Sequence, residues 1–365
     1  MADDGTTAAG AADDGSHRRR LAAHGAVSRS LALLGDRALY DLVAAAPPTG
    51  AGIGGRSALL EVAGTPVFVK RVSLTALERH PDNAGRTANV FGLPAFCQYG
   101  IGGPGFGAWR ELAVHAMTTG WVLSGANPGF PLLYHWRVLA DGPRPLPDDL
   151  ADVEQIVDFW GGGAAVRRRM EELAGASASL ALFLEYVPQN LHQWLGERIA
   201  EGGERAEHAC RWAEEEIAAA LAFMNSRGLL HFDAHFENIL TDGRRLYFTD
   251  FGLSLSSRFE LSPEEADFHD RHRGYDRCYH SMYFARWLAT ALYGHDADGR
   301  TAFVRACARG ELPAGLPDGI GSLLRRHAPV AEVMSDFIHA LQHASRTTPY
   351  PSAELDGLGR AAARG

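Results

Sequence analysis

The sequence predicts an α+β protein of 365 residues, with a first part rich in β-strands and a second part that is mainly helical. Two observations predict this class. Short apolar runs bounded by glycine and proline turn signals occupy much of the chain before Pro188. Beyond it, apolar residues recur at helical spacing, as in residues 206–228. The 46% hydrophobic content is enough to bury a sizeable core in one or two lobes.

The N-terminal segments differ in composition. Residues 1–20 contain mostly Ala, Gly, Asp and Arg without apolar periodicity, so we expect a disordered tail. Residues 21–48 carry apolar residues at helical spacing up to Ala46, and Pro47 and Pro48 end this predicted helical extension.

Residues 49–187 are predicted to form the strand-rich part. A glycine-rich turn precedes two strands joined by a hairpin at residues 63–66, and Lys70 lies in the second strand. The helical spacing of residues 108–123 predicts one helix, which carries Glu111. Two further strands are predicted, and two segments look like insertions of unassigned purpose. The strands cover residues 130–139 and 179–187, and the insertions cover residues 75–107 and 141–178.

Residues 188–365 are predicted to form the helical part, with a long helix ended by Gly228 and further helices from Tyr275 onward. The net charge of −9 argues against nucleic acid as a ligand, because a phosphate backbone is bound by basic surface. The four cysteines are widely spaced and predict free thiols. Without a signal peptide or a membrane-spanning apolar run, we expect a cytoplasmic protein. The sequence does not indicate an oligomeric state.

Two motifs stand close together in the second part. "HFDAHFEN" occupies residues 231–238, and "DFG" follows at residues 250–252. This pair, in this order, resembles the catalytic loop and the metal-binding motif of the protein-kinase-like superfamily, which includes protein Ser/Thr kinases and aminoglycoside and choline-type phosphotransferases. The resemblance covers roughly residues 49–300 and implies a two-lobed fold with a β-rich N-lobe and a helical C-lobe.

The resemblance also implies roles for five residues. Asp233 would accept or orient the proton of the acceptor hydroxyl, while Asn238 and Asp250 would hold Mg²⁺. Lys70 would contact the phosphates of ATP, and Glu111 would anchor that lysine. Taken alone, Asp233 and Asn238 fit a turn, and a lysine in an apolar strand is usually a snorkelling edge residue. The motif order favours the catalytic interpretation.

Further resemblance concerns nucleotide binding. Gly50, Gly52 and Gly55 have the spacing of a glycine-rich loop that covers phosphates, and the alternative is a flexible linker. Residues 183–187 resemble the segment between the lobes, where backbone groups of Glu185 and Val187 would bind adenine. An ordinary core strand is the alternative there.

The acceptor is indicated by departures from the protein-kinase pattern. Phe232 replaces the arginine that would bind a phosphate in the activation segment, and His235 stands where aminoglycoside-type enzymes carry histidine. No A-P-E occurs between Asp250 and Asp276. Asp276 resembles the aspartate that braces the catalytic loop, with a helix cap as the alternative.

These features favour transfer of the γ-phosphate of ATP to a hydroxyl group of a small molecule such as an amino-sugar. A protein Ser/Thr kinase is the first alternative. A pseudokinase that acts as a binding or scaffold module is the second; it would have lost a core motif residue, and the sequence retains all of them.

Overall fold

The computed structural model describes residues 5–52, 55–100, 105–142, 146, 151–161 and 163–362. The N-terminal segment forms two helices, α1 (Gly5–Ala32) and α2 (Asp36–Ala45), which residues 33–35 separate. The single helix predicted up to Ala46 is therefore interrupted. The disorder predicted for residues 1–20 is wrong for Arg20, which lies in α1 and is buried. Its guanidinium is satisfied by distant residues, so local composition could not reveal its order.

Five strands form one antiparallel sheet in the order β1-β2-β3-β5-β4. Strand β5, which lies between β3 and β4, is apolar and almost wholly buried, and the central strand β3 buries Val67 and Val69 on one face. The sheet therefore provides a rigid support for Lys70, which lies on β3 opposite Leu182 of β5. The strands are β1 (Pro48–Gly52), β2 (Gly55–Val62), β3 (Thr65–Leu74), β4 (Leu133–Ala140) and β5 (Ala178–Glu185).

One long helix, α4 (Ala108–Leu123), packs against this sheet. It follows the short helix α3 (Ala76–Arg79) and a 3₁₀ helix (Ala95–Tyr99). Gly107 precedes α4 with φ +123°, and a Cβ there would lie 2.5 Å from Oε1 of Glu78. The same Oε1 accepts a hydrogen bond from the Ala108 N–H at 3.0 Å. Gly107 thus allows Glu78 to anchor the start of α4.

The two predicted insertions pack on each other. Helices α5 (Val153–Phe159) and α6 (Ala164–Ala174) share a separate small core with the segment before α4. This core contains Phe91, Leu93, Cys97, Phe106, Ile156, Val157, Trp160, Val166 and Met170. Apolar burial therefore joins the insertions into one unit beside the sheet.

The second part of the chain is mainly helical, so the predicted α+β class with two lobes is confirmed. Its long helices α8, α10 and α12 pack together around the main core. The helices are α7 (Leu191–Glu201), α8 (Gly203–Ser226), α9 (Pro263–Arg271), α10 (Tyr275–Tyr293), α11 (Ala297–Ala308), α12 (Asp318–His343) and α13 (Ser352–Ala362). The short strands are β6 (Gln189–Asn190), β7 (Leu229–Leu230), β8 (Ile239–Thr241), β9 (Leu246–Phe248) and β10 (Leu255–Ser256).

All four cysteines are buried free thiols. Among the helices of the described ranges, none has the length and apolar character needed to span a bilayer.

His280 of α10 makes the stability of the helical part depend on pH. The imidazole is buried, and within the described residues neither ring nitrogen has a hydrogen-bond partner. Burial lowers its pKa to about 3, below the ordinary value of about 6.5. Between these pH values the unfolded chain binds more protons, so the free energy of unfolding falls as the pH drops below about 6.5.

We therefore expect the free energy of unfolding to fall less on acidification in His280→Leu than in the wild type. The difference in this loss should be about 2 kcal/mol at pH 5. Thermal unfolding of both proteins between pH 7 and pH 4 measures this difference. His208→Leu, at an exposed position of α8, is the matched control. Equal pH dependence of Tm in the His280 variant and the wild type would contradict the assignment.

Candidate functional site

A cavity of about 360 Å³ lies between the sheet and the helical part. Its walls come from the β1–β2 hairpin, from β3, from the segment after β5 and from both sequence motifs. The predicted site residues among its lining are Gly50, Gly55, Lys70, Glu185, Val187, Asn238 and Asp250. A wider surface groove of about 850 Å³ borders α7 and α8 but contains no motif residue. The chemistry-bearing residues therefore converge on the smaller cavity.

Lys70 is the centre of a buried ion network. Its Nζ lies 2.7 Å from Oε1 of Glu111 and 2.8 Å from Oδ1 of Asp250. Burial disfavours the ammonium, but the two carboxylates outweigh that effect and raise the pKa of Lys70. The structure thus brings Glu111 to Lys70 across the long sequence gap between them. It fixes a permanent cation beside Asp250.

The catalytic-loop motif is held by Asp276 of α10. Its carboxylate accepts hydrogen bonds from the backbone N–H groups of His231 at 2.7 Å and Phe232 at 2.8 Å. Phe232 has φ +65°, a left-handed conformation that is strained for a bulky residue. Burial raises the pKa of Asp276 to about 6. The predicted brace is confirmed; the N-cap of α10 is Gly274.

Asp233 and Asn238 are joined directly. The amide Nδ2 of Asn238 donates to the Asp233 carbonyl at 3.0 Å and to its Oδ2 at 3.1 Å. Burial raises the pKa of Asp233, while His235 lowers it in part. Because Nδ2 of Asn238 faces Asp233, its Oδ1 is available to another ligand as far as the described residues are concerned. The loop therefore presents one carboxylate and one amide oxygen to the site.

The donor set fits a magnesium ion. Asp250 contributes a carboxylate with Oδ1 on Lys70, and both Asp250 and Asn238 line the same cavity. Burial opposes ionisation of Asp250, but Lys70 lowers its pKa, so the carboxylate is charged at neutral pH. Carboxylate and amide oxygens are the ligands that Mg²⁺ prefers. The backbone of Asp250 is in the left-handed region, with φ +58°. Its carboxylate accepts hydrogen bonds from Lys70 and from the backbone of Gly252.

His235 lies beside Asp233, and its partner Glu237 is a residue that sequence reasoning missed. The imidazole Nδ1 is 2.8 Å from Oε2 of Glu237, and Nε2 is 3.7 Å from Oδ2 of Asp233. Burial lowers the pKa of His235, but these carboxylates outweigh it and the net effect is a raised pKa. Tyr283 of α10 donates to Glu237 at 2.7 Å. The signal for Glu237 was its place next to Asn238 in the motif.

The predicted glycine-rich loop is a β-hairpin. Gly50 and Gly52 lie in β1, Gly55 begins β2 opposite Gly52, and residues 53–54 lie outside the described residues. Gly55 has φ +118°, and a Cβ there would lie 2.3 Å from the Arg71 carbonyl oxygen. The sheet itself therefore requires this glycine. The flexible-linker alternative is wrong for these strands.

The segment after β5 follows the prediction in part. Val187 and Glu185 both line the cavity. The Glu185 N–H, however, donates to the Leu132 carbonyl at 2.8 Å, so it is already used within the protein. The Glu185 N–H is therefore occupied, and the predicted contacts of the Glu185 and Val187 backbone with adenine stay a prediction.

Similarity to known proteins is partial. The chain is 34% identical over 95 residues to CBL-interacting protein kinase 20 from Oryza sativa subsp. japonica, covering 24% of this chain and 20% of that protein. It is 32% identical over 87 residues to CBL-interacting protein kinase 1 from the same source, covering 24% and 18%. The chain thus spans about a fifth of the length of these curated relatives. No protein-family model matches it.

The arrangement of the two lobes is kinase-like. The antiparallel five-stranded sheet precedes the helical part, and the distant relatives named above are protein kinases. The similarity indicates a relationship to kinase-superfamily phosphotransferases and leaves the acceptor undetermined.

Arg20 of α1 is the second residue near the kinase-like cleft that sequence reasoning missed. Its Nε and Nη2 each lie 2.8 Å from the Glu185 carboxylate, and its Nη groups donate to the Pro128 and Phe130 carbonyls at 2.9 and 2.6 Å. The Glu185 Oε2 also accepts from the Leu132 N–H at 3.1 Å. A bidentate buried pair of this kind holds α1 against the segment between the lobes. No local sequence signal marks it.

Proposed function

We propose that this protein transfers the γ-phosphoryl group of MgATP to a hydroxyl group of an acceptor. The observation that carries the proposal is the convergence of Lys70, Glu111, Asp233, Asn238 and Asp250 at one cleft. Phosphoryl transfer needs positioning and charge neutralisation more than covalent participation by the protein. This set of side chains can supply both.

Each residue has a separate part in the proposed mechanism. Asn238 and Asp250 would hold Mg²⁺, which when bound neutralises phosphate charge. Lys70, kept in place by Glu111, would contact the phosphates of the nucleotide. Asp233 orients the acceptor hydroxyl and takes its proton, and the amide of Asn238 fixes the direction of that carboxylate.

A small-molecule acceptor such as an amino-sugar is the favoured acceptor class. Phe232 is buried and offers no cation to a phosphorylated segment, and Nε2 of His235 lies 3.7 Å from Oδ2 of Asp233. The chain after Asp250 passes within a few residues into β10 and then α9, which leaves little platform for an extended peptide. A protein Ser/Thr acceptor is the second candidate, because the relatives with partial similarity are protein kinases.

A panel of acceptors tests the class. We expect MgATP consumption and phosphorylated products, identified by mass, with one or more amino-sugars or choline-like alcohols. Generic protein substrates should remain unmodified. Phosphorylation of protein Ser or Thr with no small-molecule product would instead support the second candidate. Binding of MgATP without any transfer would support the pseudokinase alternative.

His235 provides a more specific prediction. If its imidazolium neutralises charge on the transferring group, His235→Ala should lower kcat by about tenfold or more with little change in ATP affinity. Lysine at this position should restore part of the rate, because it supplies a cation from the same backbone position. Steady-state kinetics and calorimetry measure the two effects.

The matched control is His339→Ala, which removes an exposed imidazole from α12, far along the chain from the motifs. This variant should keep the wild-type kcat. A His235→Ala enzyme with unchanged kcat would contradict the proposed role of His235. It would not affect the proposed roles of Asp233 and Asp250.

A further inference from the structure

Arg110 is the residue before Glu111 on α4, and it forms a buried ion pair with the segment that follows the DFG motif. Its Nη2 lies 2.7 Å from Oε1 of Glu265 in α9, with side-chain exposures of 2% and 4%. The Arg110 Nε also donates to the Thr87 carbonyl at 2.7 Å. The rings of Phe106 and Phe259 lie 5.0 and 5.3 Å from the guanidinium carbon. These contacts hold the buried guanidinium of Arg110 in the orientation that pairs it with Glu265.

Glu265 is held in place by its own helix terminus. Ser262 is the N-cap of α9, Pro263 follows it, and Ser262 and Glu265 form a capping box. In that box, Oε2 of Glu265 accepts the Ser262 N–H at 3.0 Å while Oε1 binds Arg110. The hydrogen bonds of the capping box therefore help to direct the Glu265 carboxylate at Arg110.

The first insertion strengthens the same connection. Thr87 Oγ1 accepts the Glu260 N–H at 2.9 Å, and Arg86 pairs with the Glu260 carboxylate at 2.6 Å. Further along, Tyr99 shares a hydrogen bond of 2.6 Å with His272 just after α9. The described residues of the insertion thus bind the segment after DFG at several points, in addition to the Thr87 contact with Arg110.

Neighbouring residues on a helix point about 100° apart, so Arg110 and Glu111 contact different structures from one turn of α4. Arg110 reaches α9, and Glu111 reaches Lys70. A rotation or shift of α4 that separated Arg110 from Glu265 would also move Glu111 away from Lys70. The two ion pairs are coupled through a rigid element.

We propose that Arg110 and Glu265 are positioning residues that keep Glu111 on Lys70, so that the segment after DFG is ordered by a permanent carboxylate and needs no phosphorylation. This inference rests on the proposed phosphotransferase function. A phosphate added to a segment can order it by pairing with arginine. In this protein the carboxylate of Glu265 already pairs with Arg110. Ser254 and Ser256 are buried, which leaves their hydroxyls no room for a phosphate in this arrangement.

A kinetic double-mutant cycle tests the coupling. The variants are Arg110→Met, Glu111→Gln and the double variant, assayed for kcat and for KM of ATP and acceptor. We expect each single change to lower kcat by about tenfold or more, and Arg110→Met to lower it by less than about twofold further in the Glu111→Gln background. Non-additivity of this kind follows if Arg110 acts through Glu111.

Additive losses in kcat would overturn the inference, because they would mean that Arg110 acts independently of Glu111. If Glu111→Gln kept the wild-type kcat, the proposed function of Lys70 and Glu111 would be overturned together with the inference. Glu265→Gln is the smaller change should Arg110→Met fail to fold, and the same non-additivity with Glu111→Gln is expected. The control Val304→Ala trims a buried residue of α11 and should lower Tm while keeping kcat.

Phosphatase treatment provides a second test on the unaltered chain. Enzyme made in bacteria and stripped of phosphate should keep full activity, with mass spectrometry confirming unmodified Ser254, Ser256 and Ser257. Activity that disappeared on treatment and returned only with phosphate on one of these serines would overturn the inference. That outcome would leave phosphoryl transfer itself intact and favour a regulated protein kinase.

Discussion

Asp233→Asn should remove nearly all phosphoryl transfer while MgATP still binds, with kcat lowered by about 10²–10⁴-fold. The substitution keeps the size of the side chain and an oxygen for the Asn238 amide, which lies 3.1 Å from Oδ2. It removes the negative charge and the ability to take the acceptor proton. The proposed metal ligands, Asn238 and Asp250, remain in place.

Transfer kinetics and calorimetry on the same preparation separate the two effects. Asp298→Asn, an exposed change in α11, is the matched control and should behave as the wild type. Near-normal turnover by Asp233→Asn would remove the catalytic assignment. Loss of MgATP binding in that variant would mean that Asp233 acts on the nucleotide site instead.

Asp250→Ala should abolish Mg²⁺-dependent nucleotide binding. This residue is the one carboxylate proposed as a direct ligand of the metal, and it also lies 2.8 Å from Lys70. Its removal leaves the cavity with the Asn238 amide as a weak ligand and with Lys70 paired only to Glu111. Both changes reduce the attraction for a phosphate-bound metal ion.

Calorimetry with ATP in the presence of Mg²⁺ and of a chelator measures this effect, and thermal unfolding verifies that the variant is folded. We expect the wild type to lose affinity for ATP when the chelator removes Mg²⁺. The Asp250→Ala variant should bind ATP weakly both with Mg²⁺ and with the chelator. Unchanged MgATP affinity in the variant would contradict the metal-site interpretation of the DFG motif.

The parts of the site that the sequence could predict are those encoded by short motifs. Asp233, Asn238 and Asp250 lie within 20 residues of each other, so their approach depends on local turns and on two short strands. Lys70 could be placed because its strand shows a clear apolar pattern. Glu111 was predicted by motif order alone, and the contact with Lys70 arises from the packing of α4 on the sheet.

The contacts that sequence reasoning missed join residues far apart in the chain. Arg20 binds Glu185 across 165 positions, and Arg110 binds Glu265 across 155. Isolated arginines and glutamates are usually solvated, so neither residue carries a local sign of burial. The disorder expected for residues 1–20 failed at Arg20 for this reason. Its partners are supplied by tertiary structure, which composition does not report.

The insertions illustrate the same limit. Residues 75–107 have mixed composition with many turn signals, and the sequence assigned them no purpose. In the fold, their described part supplies an anchor for α4 through Glu78 and contacts to the segment after DFG through Thr87. These functions depend on where the segment lies relative to α4 and α9, which periodicity cannot reveal.

Transfer of isotopically labelled phosphate tests directly whether this protein is a phosphotransferase. ATP labelled with ¹⁸O on the γ-phosphoryl group is incubated with Mg²⁺, enzyme and the acceptor panel, and all products are analysed by mass. We expect unlabelled ADP and a hydroxyl product that carries the labelled phosphoryl group, formed by the wild type and not by Asp233→Asn. Intact labelled ATP, or label found only in inorganic phosphate across the whole panel, would contradict the proposed function.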